Sequence, residues 1–175
     1  MRSSLVPVAL IALCVNAVEA QKPTLERVDS LIAAGESTRA TALLKQWQQS
    51  NPADNDPHAL YLAAQLENNA ELARDIYVGI ALSHPTSSYA APALLRLGQL
   101  SHAAGDWQRA ISYLDRLLTD YPAARERESG YLWLVRAHIA AGRNTDACAL
   151  AGRALRGEVR DPDLSEQVRS DERRA

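Results

Sequence analysis

Residues 91–124 read APALLRLGQLSHAAGDWQRAISYLDRLLTDYPAA. Leu94, Leu95, Leu97, Leu100 and Ala104 recur at helical spacing, and Gly105 can take the left-handed conformation that ends a helix. A second stripe follows in Ala110, Ile111, Leu114, Leu117, Leu118 and Tyr121, and Pro122 stops it. Gly98 and Ala110 are small, so two antiparallel helices can approach closely there. The stretch therefore predicts a helical hairpin that cannot bury its apolar side alone.

The same punctuation returns along the chain. Gly35 with Ala40, Asn68 with Ala73, Gly105 with Ala110 and Gly142 with Ala147 mark four turns. The first three alanines are each followed at a constant interval by a proline: Pro52, Pro85 and Pro122. Self-similarity on this scale is the signature of a stacked repeat. Four hairpins are expected, with helices at 23–34, 37–50, 56–67, 70–83, 88–104, 107–119, 126–141 and 144–156.

These residues resemble the tetratricopeptide repeat (TPR) family. Leu97-Gly98, Ala110 and Pro122 match its Leu-Gly, Ala and Pro, while its aromatic positions are Leu94, Ser101 and Leu114 here. The fourth unit offers Tyr131, Leu134-Val135, His138, Ala147 and Ala151, without a closing proline. Asp120-Tyr121-Pro122, Trp133-Leu134-Val135 and the long link after Pro85 are similar to a bacterial cell-envelope branch. That branch includes the Tol–Pal coordinator and an outer-membrane assembly lipoprotein. The resemblance implies an all-α, right-handed superhelix, an α-solenoid of about four hairpins. It also implies a non-enzymatic scaffold or adaptor that binds another envelope protein in a concave groove.

Around this unit the chain divides in three. Residues 1–20 combine Arg2, an apolar run from Leu5 to Val15, and Val18-Glu19-Ala20. This is the layout of a secretory signal peptide cleaved after Ala20, too short to span a bilayer. Leu13 before Cys14 is not the small residue that precedes a lipidated cysteine, so a periplasmic or secreted protein is expected and a lipid anchor is not. Residues 21–156 form the repeat domain. Residues 157–175 carry four arginines and six acids, a composition that predicts a disordered charged tail; the alternative is a short helix that docks a partner through Val159, Leu164 and Val168.

The composition narrows the chemistry. The chain has 175 residues, 19 basic against 21 acidic, and a net charge of −2, with no basic block to follow nucleic acid. His58, His84, His102 and His138 share no metal-ligand spacing, so no metal, cofactor or catalytic residue is assigned. Cys148, in an Ala-rich stretch, is expected as a small buried hydrophobe, and Trp107 as a core residue. Trp47 is expected to cap the stack. Transferring the family's groove positions gives Leu95, Gln99, His102, Leu132 and Arg136 as the partner-binding residues. Two alternatives stand beside the scaffold reading. One is an enzyme accessory subunit. The other is a homo-oligomer, in which a second copy covers the apolar end after the fourth unit.

Overall fold

The computed structural model describes residues 24–52 and 55–174, and every regular element among them is helical. The expected leader, its cleavage site and Cys14 lie outside the described residues. Four antiparallel hairpins follow one another: α1 (Leu25–Ala33) with α2 (Ser37–Ser50), α3 (Pro57–Leu66) with α4 (Ala70–Ser83), α5 (Ala90–Ala103) with α6 (Trp107–Asp120), and α7 (Arg127–Ala140) with α8 (Asn144–Arg153). A single π turn, Ala154–Glu158, then leads to α9 (Pro162–Glu172). Each helix packs chiefly on its neighbours in sequence, which gives an all-α solenoid.

The repeated alanines perform one task. Ala40, Ala110 and Ala147 are fully buried and Ala73 nearly so, at the points where each second helix meets its first. Leu94, Leu97 and Leu114 are also fully buried, and Gly98 faces Leu114 so closely that a Cβ there would stand 2.5 Å from the leucine Cγ. Gly35, Gly105 and Gly142 all take positive φ at the turn inside their hairpin, as their spacing predicts. Asn68 does not share that role. The second turn is extended at Glu67, and Asn69 caps α4 by accepting from the Glu71 and Leu72 amides. As a result α3 is 10 residues long where α5 has 14.

The links between hairpins are held by side chains. The Tyr121 hydroxyl donates to the Pro85 carbonyl at 2.7 Å, and the Arg116 guanidinium donates to the Ala81 carbonyl at 3.2 Å. These bonds tie the third hairpin to the end of the second.

The C-terminal segment differs from expectation. Residues 162–172 are helical, not disordered, and the π turn runs across the expected boundary at 156–157. Asp161 caps α9 through the Leu164 amide, with Pro162 at the first helical position. Val168 is fully buried and Val159 nearly so, in the same cluster as Leu132 and Val135. Polar contacts complete the dock. Arg136 donates to Asp171 at 2.8 Å, the Glu128 carboxylate accepts from the Arg160 and Asp161 amides, and Arg127 pairs with Glu158. The apolar end that would have invited a second copy is therefore covered by the chain's own helix.

Candidate functional site

The first helices of the hairpins line one side of the stack, and their spacing along it is uneven. The α1 and α3 backbones and the α5 and α7 backbones approach closely, whereas α3 and α5 stand further apart and meet through side chains such as Tyr61 and Tyr89. Because α3 stops a turn short, the C-terminal half of α5 has no neighbour on that side. Two clefts line this side, one at the start of α5 and one at the gap. One, of about 940 Å³, lies among Asp29, Tyr61, Gln65, Tyr89, Arg96 and the 120–126 link. The other, of about 680 Å³, lies among Ile32, Gln65, Arg96, Gln99, Leu100, Ala103 and Trp133. Gln65 and Arg96 line both, so the two clefts adjoin along one groove-like side of the stack.

Aromatic rings build its floor. Tyr61 meets Tyr77 edge-on at 5.6 Å and Tyr89 at 5.5 Å, and His58 stacks on Tyr89 at 4.7 Å. His58 is fixed in turn by the Asp29 carboxylate at 2.6 Å. Burial raises the Tyr77 and Tyr89 hydroxyls above the usual tyrosine range, and for Tyr89 the nearby Asp29, Asp56 and Glu26 add to it. Arg96 is exposed, and its guanidinium donates to Gln99 Oε1 at 3.1 Å. A cation and an amide thus stand together beside apolar rings.

The residues expected to bind separate into two groups. Gln99 lines the groove. Leu95 and His102 are half-buried and turned toward α7, where His102 meets the Trp133 ring edge-on at 5.5 Å. Leu132 is a correction, since it is 3% exposed inside the last core cluster. Arg136 is a second one. It is held by Asp171 and Gln167 of α9 and lies over the Trp133 ring at 5.2 Å. Both changes have one cause: α9 covers this side of α7. Tyr61, Gln65, Tyr89, Arg96 and Trp133 are groove residues that the sequence reading did not select. Arg96, Gln99 and Ala103 share one face of α5 at helical spacing, and that periodicity was the available signal.

A third cleft, of about 550 Å³, brings His138 and Cys148 together with Asp115 and Asp146. Cys148 is exposed, contrary to expectation, because α8 turns that side away from α7. His138 Nδ1 stands 3.9 Å from Asp146 and has no hydrogen-bond partner among the described residues. Burial holds its pKa below the usual histidine range, against the opposing pull of Asp146 and Asp115. Burial likewise pushes the Asp115 carboxyl up. Trp107 is also a correction, 42% exposed at the start of α6, while Trp47 packs half-buried on the first cluster. Among the described residues no group of His, Cys, Asp and Glu is placed to hold a metal, and no helix is long and apolar enough to cross a membrane.

Fold and groove together define an all-α solenoid of stacked helical hairpins with an open, aromatic-floored cleft. Residues 92–124, the α5–α6 hairpin and its link, match the family model of the tetratricopeptide repeat. Among solved structures the chain is similar to a thermophilic TPR protein of Thermus thermophilus. The two are 20% identical with a TM-score of 0.46, over 84% of this chain and 96% of that one. No curated protein matches the sequence.

Proposed function

We propose that the chain is a non-enzymatic scaffold whose groove between α3, α5 and α7 receives a segment of another protein. The observation that carries this reading is the gap left by the short α3. Along the groove beside it stand Tyr61, Tyr89 and Trp133 as half-buried apolar anchors, with Gln65, Arg96 and Gln99 as polar handles among them. A protein segment matches that combination, because binding energy concentrates in a few aromatic or arginine anchors while polar contacts set register. The TPR match of the α5–α6 hairpin supports the same reading. The apolar run at 5–15 followed by Ala20 supports an exported protein, and we place the partner in the bacterial cell envelope on that ground. A role like that of the Tol–Pal coordinator or of an outer-membrane assembly factor belongs to this proposal.

The test pairs Arg96→Glu with Gln99→Ala. Both side chains reach solvent, so the double variant should change folding stability by no more than about 0.5 kcal/mol per site. Binding of the partner retained by the wild-type protein should weaken about tenfold or more. Arg39→Glu on α2 serves as the control. Equal binding by the groove variant and the control would remove the groove from the binding face.

A further inference from the structure

Arginine is used unevenly in this chain. Ten described arginines form an ion pair with a carboxylate. Arg96 is engaged by Gln99. Arg143, Arg153, Arg156 and Arg160 are exposed with no carboxylate within ion-pair distance among the described residues, and the last three share one place. They stand together around one cleft of about 560 Å³, where α8 passes through the π turn into the extended link before α9.

The backbone arranges this. Gly152 lacks the Cβ that would stand 3.1 Å from Arg156 Nη1, which gives the guanidinium room to lie against α8. Gly157, at φ +131, breaks the helical path and turns Glu158 toward Arg127. The one carboxylate lining the cleft is thereby already taken, and Arg127 holds it well below the usual glutamate range. Glu158 is hydrogen-bonded to Arg127 and feels Arg153 and Arg160 only at longer range, as Asp115 feels Arg153 from the neighbouring cleft. Three positive charges therefore face this cleft against one carboxylate.

We infer that this turn is a second binding site, for a carboxylate-rich peptide segment of a partner protein. The guanidinium fork matches a carboxylate in two parallel hydrogen bonds, and three forks on a turn and an extended step match several carboxylates in succession. A bilayer surface fits less well. The large apolar side chains exposed among the described residues are Leu72, Leu82 and Trp107, on α4 and α6, and none of them lines this cleft. The site is separate from the groove and does not rest on the groove's function.

The experiment measures fluorescence anisotropy of a labelled octaglutamate peptide with the full chain at low salt, with octaglutamine as the neutral comparison. Arg153→Gln, Arg156→Gln and Arg160→Gln together should weaken octaglutamate binding about tenfold or more. A variant of equal net charge, Arg39→Gln with Arg109→Gln and Arg169→Gln, should stay within about twofold, because those exposed arginines already share carboxylates. Equal losses in the two variants would overturn the proposal and leave only non-specific attraction. So would an absence of octaglutamate binding, or binding to phosphatidylglycerol vesicles that octaglutamate fails to compete away.

Discussion

Replacing Gly98 with valine lowers the melting temperature by roughly 5–10 °C, whereas replacing Gly79 with alanine raises it. The two glycines lie inside α5 and α4, and local propensity treats them alike. A side chain in either place should favour the helix by up to about 1 kcal/mol. Packing reverses the sign at one of them. A Cβ at Gly98 would stand 2.5 Å, 2.6 Å and 3.0 Å from Leu114 carbons, and Leu114 is fully buried. Overpacking of this kind costs about 1–3 kcal/mol, and valine adds two methyl groups to the clash. Near this chain length each kcal/mol moves the midpoint by about 2–4 °C. At Gly79 nothing lies within 4 Å of the added carbon, so the propensity gain stands alone. Ala110→Leu acts in the same layer as Gly98 and should lose a comparable amount. Thermal melting followed by circular dichroism decides it. A Gly98→Val midpoint equal to the wild type's would mean that α5 and α6 are not packed as described.

Replacing Val168 with aspartate detaches α9. Val168 is the fully buried apolar side chain of that helix, at 0% exposure, and a charge cannot remain there without a partner. Beside it the Arg136–Asp171 pair is largely buried, with Asp171 at 8% exposure, so detaching the helix also returns that pair to water. The loss should exceed about 2 kcal/mol but stay local, because stacked repeats are stabilised mainly by nearest neighbours. Hydrogen exchange should show faster amides in α9 and on the newly uncovered side of α7, with α1 to α4 unchanged. Uniform acceleration along the chain would contradict the neighbour-by-neighbour account. Unchanged protection in α9 would show that Val168 does not anchor it.

The eight hairpin helices were legible because their signals are local. Apolar spacing sets each face, glycines at positive φ close three of the turns, and prolines follow the first three second helices. The second turn escaped this reading. Asn68 stands where the glycine would, but the capping there is done by Asn69, and α3 ends early. That shortening opens the groove, so the missed detail is the one the candidate site depends on. The helix α9 was legible only as the alternative to a disordered tail, and its docking on its own chain was not. Its anchors are Val159, Leu164 and Val168, too few to stand out by composition, and its polar contacts reach back more than thirty residues to Glu128 and Arg136. A local signal did exist, since Asp161-Pro162 repeats the Asp56-Pro57 start of α3. Register placed Leu132 and Arg136 on one face of α7. It could not tell that another helix lies on that face.

The most direct test of the groove is a photoreactive side chain placed at Gln99 in the full chain, with a matched probe at exposed Gln108 on α6. Irradiation in the cells that make the protein, followed by mass spectrometry, identifies what each position touches. The account predicts a discrete protein adduct from Gln99 that is absent from Gln108 and is lost when Arg96 is changed to Glu. Adducts of equal yield from both positions, or from Gln108 alone, would contradict it.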